Sequence, residues 1–451
     1  MLRTGGTPRR ACFIALITAS LLAVALTCTQ VASAAGSGDR YGVTDSYLRA
    51  VSPATRQVAL GALYAGGVRL VRSDMGWGQV EPSPPSGSGV HYYDWSKHDA
   101  WVGELARAGL RLYPIIDYGT AWNAVTPGKW QSRPSDPQQY AAFAAAVVGR
   151  YGPTGTFWNE HPELPRLPVQ SVEIWNEENA QQFWYEQATA PADYARMYVA
   201  ARTAVKLVAP ATEVVVGGLV DQGADSFVRG MAAAVPGIGA QLDAVAYHPY
   251  LMDPATAAGR VAAVRRTLSA IGATNAPIEL TEVGWSSLEA SDDARGANLA
   301  EISRLALDPV LNVSKVIAFA AMSNEGDPGQ WDQWFGLLNH DGTPKSTFVR
   351  WAAAIAVLNT QSAVTQTPSS VTQTKSAPVT TAPAAPTTAK PVVAAKPKKT
   401  KAKKKSTAAS RAAKARAARA RARAAKARAA RARAARARAA RTRARAAVAS
   451  R

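Results

Sequence analysis

The sequence predicts a (β/α)8 barrel over residues 38–359, and three observations carry that expectation. Short runs rich in Val, Ile and Leu recur eight times. An amphipathic Ala/Leu/Arg stretch follows each run. No Gly-rich phosphate loop follows the first run, which argues against a doubly wound open sheet.

The first strand is expected near 41–44. The next are "VRLVRSDM" (68–75), "LRLYPIIDY" (110–118), "VQSVEIWN" (169–176) and "EVVVGGLV" (213–220). "LDAVAYHPY" (242–250), "PIELTEVGW" (277–285) and "SKVIAFAAMS" (314–323) complete the set. Several are near-continuous apolar runs, the pattern of parallel strands covered on both faces. Helices are expected at 53–65, 97–109, 136–150, 192–208, 224–235, 255–272, 292–307 and 346–358. Pro and Gly mark many junctions, and Ser291 has the position of a helix cap.

Outside the barrel the composition changes. Of the 52 Lys and Arg residues, 25 fall in 361–451, which has no Asp or Glu; residues 1–360 keep 27 against all 32 acidic residues. The chain is a mildly acidic body with a strongly basic tail. Residues 1–34 read as a signal peptide: Arg3, Arg9 and Arg10, an apolar run from Ala11 to about Cys28, then "ASA" before a cleavage point after Ala34. A retained membrane anchor is the alternative, and no later apolar run is long enough for another span. Both cysteines lie in this segment, so the mature chain is expected to have neither disulfides nor cysteine metal sites. Export, or association with a cell envelope, is the expected localisation.

Residues 360–395 form a Thr/Pro/Ala-rich linker, and 396–451 a polycationic low-complexity tail. Arg recurs at spacings of two and three, so no apolar stripe forms and the tail is expected to be disordered alone. Its charge suits anionic cell-envelope or matrix polymers. It has no interleaved aromatics, so any nucleic-acid binding is expected to be non-specific and salt-sensitive.

In a (β/α)8 barrel, residues at the C-terminal ends of different strands converge on one mouth. Here those ends carry Arg72 and Asp74, Asp117 and Tyr118, Asn176 and Glu177, His248 and Tyr250, Glu282, and Asn324. Glutamates on strands four and seven face each other across the ring. Two such carboxyls at about 5 Å are what retaining glycoside hydrolysis uses: one protonates the leaving oxygen and the other attacks the anomeric carbon.

"VEIWNEEN" (172–179), "IELTEVGW" (278–285), "DAVAYHPY" (243–250) and "RSDMGWGQVEP" (72–82) resemble the clan A glycoside hydrolases, most of all family 39 and cellulase-like family 5 relatives. The resemblance covers about residues 40–358. It implies a retaining β-glycosidase or endoglycanase acting on poly- or oligosaccharides, with Glu177 as acid/base and Glu282 as nucleophile. It also implies that Asn176 bonds the sugar 2-hydroxyl, that Arg72 holds the nucleophile anionic, and that Tyr250 or His248 donates to it or lines the subsite.

Two departures stand out. Glu178 replaces the proline of the usual Asn-Glu-Pro. No Trp ends strand eight, so Trp331 or Trp334 in the following loop is expected to supply the sugar platform. Glu173 and Glu279 are expected to be structural partners of basic groups lower in the barrel. Trp77, Trp122, Trp184 and Trp285 are open between packing and sugar contact. No metal or cofactor is expected: no HExxH occurs, and the five histidines form no known ligand pair. A Ser-His-Asp hydrolase is disfavoured by the absence of a GxSxG elbow. A monomer is expected. The rival readings are a non-catalytic carbohydrate-binding barrel, and a polyanion-binding protein acting through its tail.

Overall fold

A computed structural model describes residues 37–365 except Leu251. The expected signal peptide, and nearly all of the linker and the tail, lie outside the described residues. Eight parallel strands close into one barrel in sequence order. They are β1 Tyr41–Thr44, β2 Leu70–Gly76, β3 Arg111–Asp117, β4 Ser171–Asn176, β5 Glu213–Val220, β6 Ala244–His248, β7 Ile278–Val283 and β8 Val313–Ala318. Closure pairs Tyr41 with Val316 and Val43 with Ala318.

A helix packs outside after each strand: Pro53–Ala65, Ser96–Arg107, Pro137–Tyr151, Ala190–Val208, Ala224–Ala234, Pro254–Ala270, Asp292–Leu305 and Ser346–Thr365. Their starts follow local chemistry. Ser52, Asp136, Asp253 and Ser291 each accept a backbone N–H of the first turn, and Pro53, Pro137 and Pro254 follow three of these caps. Tyrosines then tie helices to the sheet. Tyr194 donates to the Ile174 carbonyl at 2.7 Å and Tyr198 to the Val214 carbonyl at 2.8 Å.

The main apolar core lies between strands and helices. Inside the ring, a smaller cluster of Leu70, Tyr113, Val215, Ala244, Ala246 and Ile317 fills the bore. A polar layer is buried with it. Lys315 bonds Glu279 and, at 2.8 Å, Glu213, while the Tyr113 hydroxyl donates to Glu279 at 2.6 Å. Glu279 is therefore a lower-barrel partner of a basic group. Among the described residues no helix is long and apolar enough to cross a membrane.

Most expected boundaries shift by one or two residues, and three matter to the site or to the end of the barrel. The sixth strand ends at His248 rather than residue 250, because Pro249 has no N–H to extend the ladder. The eighth ends at Ala318, five residues early, and the last helix runs on to Thr365.

Candidate active site

The site is built around Arg72, which lies within β2 rather than at its end. Its Nε and Nη2 donate to Glu173 at 2.8 and 2.7 Å, its Nη2 also to Asn176 Oδ1 at 2.8 Å, and its Nη1 to Glu282 Oε1 at 2.5 Å. One buried guanidinium thus links β4 and β7. Strict strand alternation would send Glu173 and Asn176 to opposite faces, since they are an odd number of residues apart. Both nonetheless meet Arg72. Between them Trp175 has a left-handed φ of 71°, which breaks the alternation, and Glu177 follows at 51°. Such conformations are costly for non-glycine residues and concentrate at functional sites. Here the packing retains them: the Trp175 ring turns outward against Tyr118, Tyr140 and Trp184, and its indole donates to the Phe183 carbonyl.

Glu177 and Glu282 meet across the mouth. One oxygen of each, with a His248 ring nitrogen, all lie within 4.8 Å of one another. His248 Nδ1 is 2.9 Å from Glu177 Oε1 and 3.8 Å from Glu282 Oε2, and its Nε2 is 3.0 Å from the Thr281 hydroxyl. His248 fits because Gly218 faces it: a Cβ there would fall inside the imidazole. The Tyr250 hydroxyl donates to Glu282 Oε2.

The two carboxyls therefore differ in environment. Burial alone would raise Glu282. The charges of His248 and Arg72, with hydrogen bonds from Tyr250 and Arg72, outweigh it and hold Glu282 below the ordinary glutamate range. Burial and the Glu282 charge push Tyr250 far up, so it stays a protonated donor. Glu177 receives neither Arg72 nor Tyr250.

Glu177, His248 and Glu282 are also the one set among the described residues with the spacing of metal ligands. Their atoms are largely committed. Arg72 and Tyr250 occupy both Glu282 oxygens, and His248 is held on both ring nitrogens.

The other expected residues divide. Tyr250 packs edge-on against Trp331, at 5.8 Å between centroids, with Phe319 and Phe335 beside it. Trp331 is thus brought to the mouth. Trp334 instead donates its indole N–H to the Asp327 carbonyl, and no contact among the described residues joins it to the carboxylates. Glu173 is Arg72's partner, the structural pairing with a basic group expected of it. Trp77, Trp184 and Trp285 are buried packing residues, while Trp122 is half-buried. An aromatic wall stands on the opposite side: Tyr118, expected at the end of the third strand, is joined by Trp130 and Phe183, which the sequence reading missed, with Trp130 55% exposed. Trp130 and Phe183 sit in loops, where no periodicity marks them.

Glu178, in the place of the usual proline, points away from the mouth. It is fully buried, and neither carboxylate oxygen has a hydrogen-bond partner. The Tyr194 hydroxyl is near but donates to Ile174. Burial, then the charges of Glu173 and Glu177, push Glu178 well up, so it is a neutral carboxyl.

Fold and site together define a (β/α)8 barrel with paired carboxyls at its C-terminal mouth. No protein-family model matches the chain, and no curated protein matches it by sequence. Solved structures do. A monomeric beta-xylosidase of Caulobacter crescentus CB15 is similar at a TM-score of 0.54 and 19% identity, over 70% of this chain and 67% of that one. A family 39 glycoside hydrolase of Bacteroides cellulosilyticus WH2 is similar at 0.53 and 20%, over 72% and 65%. A GH5_18 protein of Bifidobacterium longum subsp. infantis is similar at 0.52 and 14%, over 71% and 79%. The chain spans about two thirds of the length of the first two. At these identities the likeness shows the fold. The structural resemblance is to glycoside hydrolases of families 39 and 5, the group to which the sequence motifs pointed.

Proposed function

We propose that this chain is a retaining glycoside hydrolase that cleaves β-O-glycosidic bonds in poly- or oligosaccharides. The observation that carries the reading is the pairing of Glu177 and Glu282. One oxygen of each lies within 4.8 Å of the other, and only Glu282 is held by Arg72 and Tyr250. That separation suits a nucleophile and an acid in contact with one sugar. The inverting arrangement needs about 6.5–9.5 Å to admit a water between the carboxyls.

Glu177, as the acid, gives its proton to the leaving glycosidic oxygen while a Glu282 oxygen bonds the anomeric carbon. The C–O bond to the leaving group breaks, and a glycosyl ester of Glu282 remains. Glu177, now a carboxylate, takes a proton from water. The water oxygen bonds the anomeric carbon, the ester breaks, and Glu282 returns to a carboxylate. In this reading Asn176, held through Arg72, bonds the sugar 2-hydroxyl. Trp331, rather than Trp334, is the better sugar platform.

The similarity to a beta-xylosidase and to a family 39 glycoside hydrolase supports the reading, as do the strand-end motifs. The test is sugar release by the full chain from β-linked polysaccharides and aryl β-glycosides, beside Glu282→Gln. Release lost in the variant supports hydrolysis. No release by folded protein from any of them moves the reading to a carbohydrate-binding barrel. We propose further that residues 1–34 direct export and that residues 396–451 hold the protein near anionic polymers. Retention on an anionic polysaccharide that survives deletion of 396–451 would refute the second point.

A further inference from the structure

The mouth also carries acidic groups that the hydrolysis does not use. Strand alternation places them. Leu70 and Tyr113 point into the bore, so Arg72 and Asp74, and Ile115 and Asp117, point the same way further up. Asp117 is 1% exposed, and neither of its oxygens has a hydrogen-bond partner among the described residues. Asp74, on the neighbouring strand, is solvent-accessible. Asp45 follows β1, and its backbone N–H donates to the Arg72 carbonyl at 3.0 Å.

Three carboxyls thus gather on the β1–β3 side of the mouth. Arg72 donates to Glu173, Glu282 and Asn176 rather than to any of the three, and its charge with that of Arg49 only partly offsets the burial that raises Asp117. Arg49 pairs with Asp45 at 2.8 Å and is itself 41% exposed. We propose that Asp74 and Asp117 form a cation subsite, and that the saccharide bound at this mouth carries a free primary amine, as in a β-linked glucosamine. This inference rests on the carbohydrate reading above and names its substrate class.

The electrostatics agree. Burial, then the charge of Asp74, push Asp117 well up, and burial pushes Asp45 up to about 6. With nothing bound, the carboxyls destabilise one another's charged forms. An ammonium relieves both the repulsion and the unmet acceptors of Asp117, whereas a hydroxyl satisfies only the acceptors. A uronic acid carboxylate would add to the repulsion.

The test is calorimetric titration of the full chain, at mildly acidic pH, with a β-linked glucosamine trisaccharide and with its N-acetylated counterpart. The two ligands share a backbone and differ in charge. Binding of the amine form at least about tenfold tighter is expected, with the preference erased by Asp117→Asn and by Asp74→Asn. Circular dichroism checks that both variants fold, and the exposed Asp74 keeps the test open if Asp117→Asn does not. The cationic tail is the same in every protein compared. Equal binding, tighter binding of the acetylated form, no binding of either, or a preference unchanged in both variants overturns the proposal. Hydrolysis of neutral aryl β-glycosides by the same preparation judges the glycosidase reading separately. Neutral substrates cleaved without any amine preference sink the cation subsite alone.

Discussion

Arg72 and Glu282 are joined by a 2.5 Å ion pair at the barrel mouth, and the same guanidinium is clamped from behind by Glu173. The nucleophile candidate is therefore held by a cation that is itself immobilised. Removing one partner of a buried pair leaves an uncompensated charge. Arg72→Met should cost about 3–5 kcal/mol of stability and on the order of 10²-fold in turnover. Urea melts and kcat on an aryl glycoside check this. Arg72→Met combined with Glu173→Leu should recover part of the stability and none of the rate.

The same pairing sets a pH limit. Glu282 is held below its ordinary value of 4.5, and the nucleophile must be ionised. Activity should fall only as pH drops through that lowered pKa. Tyr250→Phe removes one of the hydrogen bonds that lower it. The acid limb of kcat/KM should then move to higher pH, with a lower plateau. An unmoved limb would mean that Tyr250 does not hold the carboxylate in solution.

Glu178 gives the opposite sign. Its folded pKa is raised by burial, so its contribution to stability is full below the ordinary value of 4.5 and is lost as pH rises toward the folded value. Glu178→Gln keeps a neutral group of the same shape and removes that loss. The variant should match wild type in acid and be the more stable protein at neutral and alkaline pH. Urea midpoints across the range decide it; equal midpoints at every pH would show that Glu178 is not neutral in the fold.

Gly218 has no room for a side chain, because the His248 ring occupies the space of its Cβ. Gly218→Ala should cost about 1–3 kcal/mol and displace His248 from Glu177, lowering kcat more than it changes KM. A variant with wild-type kcat would show that His248 is not needed to position the acid.

Much of the barrel was legible in the sequence because each strand is a short apolar run set apart by turn residues. Even so, Pro249 ended the sixth strand before Tyr250, and Tyr250 reaches Glu282 from beyond the ladder. The candidate carboxyls were legible from their strand-end positions. Trp334 was not distinguishable from Trp331, since both lie in the segment after β8, at the two ends of one 3-10 turn, and only the folded path turns Trp331 toward Tyr250. Tyr118, Trp130 and Phe183 come from two different loops and form a wall only once those loops pack.

By itself, the sequence determined the strand–helix alternation, the convergence of Arg72, Asn176, Glu177, His248, Tyr250 and Glu282 at one mouth, and a charge division between body and tail. Those follow from hydrophobic period and strand order, which are local properties of the chain. Only the tertiary structure decided which basic group Glu173 pairs with, that Glu178 is buried without a partner, and that Asp117 points unpaired into the mouth. Each depends on distances between strands far apart in sequence, and, at Trp175, on a backbone twist that breaks the alternation from which side-chain direction would otherwise be read.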